Sequence, residues 1–200
     1  MGAKLLRFKR KNKEHFTMEI AATALKLFSK NGIRAVSKQD IINAAREKMN
    51  LPISKDEILE QCMAEIESEI RKIVPKTHDP LLSPADQILR IYNDLFHYML
   101  NFNLAFFNDL RKYHSMHFNY LMEVLEDSIY NEVKRLLKKG KAQGNIMFWI
   151  DVDLECFIHK TMLTQILSEF NLQTNDYTIE QIYTQIFTVR FKGIQVDISD

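Results

Sequence analysis

Glycine and proline are scarce, with five and four residues in a chain of 200. A strand-and-turn-rich fold needs frequent punctuation by both, so their shortage argues against most β architectures. Cysteine is scarcer still. Cys62 and Cys156 stand far apart and match no metal-ligand spacing, so they read as two reduced thiols behaving as small apolar side chains. No run reaches the roughly 18 uninterrupted apolar residues of a membrane-spanning helix. The opening residues carry two leucines among cations, which is not the apolar core of a secretory leader. A Ser-His-Asp order, a glycine-rich phosphate loop and a paired-carboxylate motif are all missing, so the sequence predicts neither an enzyme nor a bound cofactor. His114 and His117 have no partner carboxylate or cysteine to complete a four-ligand set, so no metal is predicted either. These absences leave a cytoplasmic, all-α, non-catalytic protein.

What is present is a charge split. The first fifty residues hold twelve Lys and Arg against four Asp and Glu, while the other 150 hold fifteen against twenty-two. The formal net charge of +1 conceals a basic end joined to an acidic body. Phosphate binding needs cations concentrated on one surface, which makes nucleic acid the first candidate partner. A basic tail that meets acidic lipids or proteins is the alternative.

Periodicity along the chain is helical almost throughout. Residues 14–31 put Phe16, Ile20, Ala24, Leu27 and Phe28 on one face, and Asn31-Gly32 is a stop signal. Ser37 with Asp40, and Ser54 in SKDE, are capping-box starts. The second of these helices carries Ile58, Leu59, Cys62, Ile66, Ile70 and Ile73 and is expected to end before Pro75. KTHDPLLSP reads as a linker. From Ser83 an amphipathic helix follows, interrupted at Asn101 and Asn103, then helices over about 104–114 and 116–139. Gly140 to Gly144 reads as a turn. Two last helices are predicted over about 151–171 and 178–194, the first opened by Asp151, Asp153 and Glu155 as capping carboxylates. The predicted architecture is a small basic helix-turn-helix-like three-helix domain over residues 1–54, followed by a helical bundle over 55–200.

The run IAATALKLFSKNGIRAVSKQDI resembles the opening of TetR/AcrR-type transcriptional regulators. Ala21, Ala22, Ala24, Leu27, Phe28, Gly32, Ser37, Asp40 and Ile41 carry the likeness, and SKDEIL resembles the family's fourth-helix start. The likeness implies a homodimeric, ligand-responsive regulator that binds operator DNA. Lys4, Arg7, Lys9, Arg10 and Lys11 form a basic arm, and Ser37, Lys38 and Gln39 a helix start, that suit DNA phosphates together with Lys48. One stretch departs from the family. REKMNLPI places eight residues between Ala45 and Ser54, where the family's turn and recognition helix take roughly twelve. Arg46 replaces the turn glycine, the Thr-Leu-Tyr run is absent, and Pro52 shortens any helix. A competing reading follows: a TetR-fold ligand-binding or interaction protein that has lost sequence-specific DNA binding.

Nine of the twenty-one aromatic residues fall between Tyr92 and Tyr120. The resemblance makes Tyr92, Phe96, Met99, Phe102, Phe106, Phe107, Tyr113, His117, Tyr120 and Met162 candidate walls for a small apolar or aromatic effector. A densely packed core is the alternative. It likewise makes Phe157, Ile158, Thr161, Gln165, Tyr183, Ile186, Phe187 and Arg190 candidates for a two-fold dimer face, against simple closure of the monomer core.

Overall fold

A computed structural model describes residues 19–45, 53–169, 181 and 183–194. Among the described residues the regular structure is helical, with no β-strand, as predicted. None of their helices is long and apolar enough to cross a membrane.

The first helix, α1, is described over residues 19–31 and buries Ile20, Ala24 and Phe28 on one face. It stops at Gly32, whose φ of 84° is the left-handed region glycine tolerates. The Gly32 amide closes the last turn on the Phe28 carbonyl at 2.9 Å. Helix α2, Lys38–Ala44, opens with the predicted capping box: the Ser37 hydroxyl accepts from the Asp40 amide and the Asp40 carboxylate accepts from the Ser37 amide. Helix α3, Lys55–Thr77, repeats the device with Ser54 and Glu57. It buries Ile58, Leu59, Cys62, Ile66 and Ile70.

Helix α3 does not end before Pro75, contrary to expectation; it runs through to Thr77. Proline removes one amide donor, so the Arg71 carbonyl one turn earlier loses its partner, and on that exposed residue water can replace it. The His78 amide still reaches the Val74 carbonyl at 3.0 Å.

Helix α4, Pro84–Met99, starts at the Ser83 cap with proline in its first turn. It packs on α3. Helix α5, Leu104–Tyr113, is capped by Asn103, and His114 alone separates it from α6, Ser115–Leu125. The predicted 116–139 helix is continuous, but it carries a π-helical turn at Glu126–Tyr130 before resuming as α7, Asn131–Ala142. Helix α7 packs against α4.

Gly140 lies inside α7 and does not open the turn expected there. A Cβ at Gly140 would stand 2.6 Å from Ile146 Cδ1. The chain folds back onto this glycine, with the Asn145 amide on its carbonyl at 2.9 Å. Helix α8, Val152–Glu169, packs on α5 and α7. A second π-helical turn, Thr184–Thr188, leads into α9, Val189–Ile194. One continuous apolar core joins residues from α1 through α9, from Ile20 to Phe191.

Candidate functional site

Helix α2 presents its start to solvent. Ser37 and Gln39 are exposed and Lys38 is half-buried. The Ser37 hydroxyl donates to the Asp40 carboxylate at 2.6 Å, and Gln39 Nε2 donates to Asn43 Oδ1 at 2.9 Å. The hydrogen bonds from Ser37, through its hydroxyl and its amide, hold the Asp40 carboxyl below its ordinary pKa. The basic-arm residues Lys4, Arg7, Lys9, Arg10 and Lys11, and Lys48 with the rest of 46–52, lie outside the described residues.

The α1–α2 turn is fastened to α5. The Arg34 amide donates to Asp109 Oδ2 at 2.8 Å. The Asn103 amide donates to the Ser29 carbonyl at 2.7 Å, and its side-chain amide donates to the Lys30 carbonyl. Gly32 touches α5 so closely that an added Cβ would lie 2.9 Å from Ala105 Cβ. From the other side, Lys55 Nζ donates to the Ile33 carbonyl at 2.6 Å. Burial lowers the Lys55 pKa, opposed by the charges of Asp109, Asp56 and Asp40.

Three residues predicted for the effector cavity lie at the end of α5 and on α6. Tyr113 is 55% exposed and lies under the Arg34 guanidinium, 4.2 Å from its ring centre. Tyr120 is exposed and donates its hydroxyl to Glu67. His117 is half-buried, with its ring 6.0 Å from that of His114. Among the described residues no group of three metal-ligating side chains could hold an ion.

The remaining aromatic residues separate into two groups. Phe102, Phe106 and Phe107 pack on one another at 4.8–5.8 Å, with Tyr98 edge-on to Phe102. They form buried core beneath the seam between the α1–α2 turn and α5. Tyr92 and Phe96 belong to the other group. Tyr92 stacks on Phe187 at 4.5 Å and meets Phe191 at 6.2 Å, while Phe96 meets Tyr183 at 5.7 Å. Met99 is buried on the same helix as these two, and Met162 is half-buried on α8.

Beside Tyr92 lies a polar cluster. Glu155 on α8 accepts from Nε and Nη2 of Arg190 at 2.7 and 2.8 Å, a two-pronged fork between α8 and α9. One turn on, His159 is fully buried. Its Nδ1 is 3.2 Å from the Tyr92 hydroxyl and its Nε2 is 3.1 Å from Glu155 Oε1. Burial alone would raise the Glu155 carboxyl; contacts with His159 and Arg190 overcome it and hold the pKa at about 2. Burial pushes the Tyr92 hydroxyl well above its ordinary value, so it stays protonated.

This corrects the reading of Glu155 as a cap. Asp151 alone caps the helix, accepting from the Asp153 and Leu154 amides. Asp153 pairs with Lys134 on the surface. Glu155 sits a turn deeper on the face that carries His159 and Leu163 inward. Spacing was the available signal, because positions 155, 159 and 163 follow one another at i, i+4.

The opposite face of α8 leaves Leu154 56% and Phe157 64% exposed, with Thr161 and Gln165 on the same stripe and Ile158 half-buried. Val189 on α9 is 51% exposed. Tyr183 and Ile186 are half-buried. Phe187 is fully buried within one copy, and Arg190 is turned to Glu155. Of the last two, both predicted for a dimer face, Phe187 packs inward while Arg190 stays partly exposed beside Glu155.

Solved structures of similar fold are regulators. A TetR transcriptional regulator from Chloroflexus aurantiacus has a TM-score of 0.68 and 20% identity, covering 94% of this chain and 99% of that one. The ketosteroid transcriptional regulator of Mycobacterium tuberculosis gives 0.64 and 17%, covering 90% and 95%. A TetR-family transcriptional regulator from Haemophilus influenzae gives 0.55 and 13%, covering 92% and 99%. No protein-family model and no curated protein sequence matches the chain significantly.

Proposed function

From the TetR-regulator fold that these neighbours share, we propose that the chain is a ligand-responsive transcriptional regulator that binds operator DNA as a homodimer and has no catalytic role. Residues 1–54 are its DNA-binding head and 55–200 its ligand-binding and dimerisation body. The observation that carries this reading is the clasp between the α1–α2 turn and α5. Asn103 and Asp109 tie α5 to the residues leading into Lys38 and Gln39. A ligand that repacks the bundle around Tyr92, Phe96 and Met99 shifts α4 and α5, and the clasp carries that shift to the head. Two heads on one dimer then change spacing, provided the ligand binds one spacing better than the other. Arm and helix-start cations grip phosphates, consistent with the excess of twelve cations over four anions in the first fifty residues.

Binding to duplex DNA as a function of salt tests the regulator. If the two heads neutralise six or more phosphates, affinity falls by about a thousandfold between about 50 and about 200 mM salt. The gene's own upstream region is expected to be preferred over random duplex. Equal affinity for both, with the same salt slope, would instead support the TetR-fold protein that has lost base readout. That second reading is favoured by the eight residues separating Ala45 from Ser54, which leave little room for a two-turn recognition helix.

For the dimer, Phe157 and Leu154 form an exposed apolar stripe on the helix that family members pair with a second copy. Phe157→Glu is expected to shift the sedimenting mass from twice 23.6 kDa toward 23.6 kDa at micromolar concentration. A wild-type monomer under the same conditions removes the dimer from the proposal.

A further inference from the structure

Helix α3 runs from the head to the far end of the molecule. At its start Lys55 Nζ donates to the Ile33 carbonyl at 2.6 Å, and its 23 residues carry it about 35 Å. Helix α4 returns toward α1, where the Asn103 amide bonds the Ser29 carbonyl. Two loops therefore close the bundle opposite the head: 78–83, between α3 and α4, and 143–151, between α7 and α8. They meet at Gly140, where an added Cβ would stand 2.6 Å from Ile146 Cδ1 and 3.4 Å from Pro84 Cβ.

Each loop raises apolar side chains off this end. Leu81 is 94% exposed, Phe148 78% and Trp149 64%, with the rings of Phe148 and Trp149 edge to face at 5.0 Å. Leu81 is three residues from Pro84 and Phe148 two from Ile146, so both lie within about 11 Å of the contact at Gly140. Cations surround them. Lys138 and Lys139 are exposed in the last two turns of α7, and Lys76 in the last turn of α3. Lys141 Nζ donates to the Ile150 carbonyl at 2.5 Å, next to Trp149. The neighbouring carboxylates are engaged within the protein. Asp79 accepts from the Leu81 amide and faces Arg90 at 3.7 Å, Asp151 caps α8, and Asp153 pairs with Lys134. The end is thus apolar at its tip and cationic around it, although residues 51–200 hold fifteen cations against twenty-two anions.

We propose that this end docks on the surface of an anionic lipid bilayer, with Leu81, Phe148 and Trp149 entering the interface and the lysines meeting lipid phosphates. Aromatic side chains favour that interface, each nearby lysine adds attraction for anionic lipid, and docking of this kind needs no spanning helix. Charge and shape exclude the other partners. The head proposed to meet DNA is at the opposite end of α3. A peptide is held in a groove or along a sheet edge, whereas side chains this exposed stand clear of their neighbours. A second copy seated here about a two-fold axis would set lysine against lysine. The proposal goes beyond the regulator reading and does not depend on it.

Trp149 is the single tryptophan of the chain, so the emission of the full-length protein reports its surroundings directly. Vesicles of equal parts phosphatidylcholine and phosphatidylglycerol are expected to shift that emission to the blue and to carry the protein into the floating fraction. Phosphatidylcholine alone is expected to do neither. Lys138→Gln with Lys139→Gln is expected to weaken partitioning about twentyfold, at about fivefold per lysine. Leu81→Ser with Phe148→Ser, which leaves the reporter in place, is expected to weaken it about tenfold. All of these positions are exposed, so both double variants are expected to keep the wild-type urea midpoint. Saturating duplex DNA is expected to leave the shift unchanged. No blue shift, an equal shift with phosphatidylcholine alone, or binding that both double variants leave intact overturns the proposal. A shift that grows with protein concentration in the absence of lipid assigns Trp149 to a second copy, and one that soluble polyglutamate reproduces assigns this end to an acidic protein; either outcome overturns it as well. Loss of the shift when DNA is bound places the bilayer contact at the head and does the same.

Discussion

Replacing Arg190 with methionine is expected to destabilise the chain by about 3 kcal/mol, read as a lower urea midpoint with an unchanged slope. Removing one member of a buried ion pair typically costs about 3–5 kcal/mol, because the other charge is left without compensation. The lower end applies here, since the Arg190 side chain is 35% exposed and water can reach the guanidinium, while Glu155 is sealed. The double variant Glu155→Met with Arg190→Met is expected to recover most of the loss, as apolar side chains of similar size need no partner. If the single variant is as stable as wild type, the fork between α8 and α9 contributes nothing.

The same pair gives a pH dependence with a definite sign. Glu155 is held at about 2, below its ordinary 4.5. A depressed carboxyl stabilises the fold in its ionised form, so its contribution is complete above pH 4.5 and is lost as pH falls toward 2. The stability difference between wild type and Glu155→Gln is therefore expected to be largest near neutrality and to shrink steadily between pH 4.5 and pH 2. A difference that stays constant across that window would show that Glu155 does not act through its charge.

Gly32→Ala is the second large effect, at about 3 kcal/mol. A non-glycine residue in the left-handed region costs roughly 1–2 kcal/mol, and the φ at Gly32 is 84°. The new Cβ would also stand 2.9 Å from Ala105 Cβ, a contact between two atoms fixed to backbone, so neither can swing away. Forcing them apart adds roughly 1–3 kcal/mol of overpacking strain. Combining Gly32→Ala with Ala105→Gly is expected to remove the clash and leave the backbone cost, restoring about half of the lost stability. Because the contact lies at the clasp, the single variant is also expected to weaken DNA binding more than its stability alone explains. Full rescue by Ala105→Gly would mean that the φ cost is negligible here.

Much of the fold was legible because its signals are local. The capping boxes at Ser37 and Ser54 are four-residue devices, and each appears in the structure as the spacing implies. The Asn31-Gly32 stop and the helix start at Ser83 are equally short-range, whereas Asn103, read only as an interruption, proves to cap α5. Where local rules misplaced an element, packing had overruled them. Pro75 stays within α3 because a proline in the last turn loses little. Gly140 stays within α7 because Ile146 needs the space a side chain would fill. Neither π-turn has a sequence signature of its own.

The aromatic run from Tyr92 to Tyr120 shows the boundary most clearly. Its sequence marks a cluster, and the structure divides that cluster among a core beneath the clasp, surface platforms at Tyr113 and Tyr120, and the rings beside His159. Helix α8 is apolar on two faces, so periodicity could not say which one turns inward. The sequence by itself determined an all-helical chain with a basic end, where its helices start, and the likeness to a regulator family, because those depend on composition and on neighbours within a turn. Only the tertiary structure decided that Glu155, His159, Tyr92 and Arg190 meet. They lie up to 98 positions apart, and burial gives their charges and protons their meaning only once α4, α8 and α9 exclude water around them.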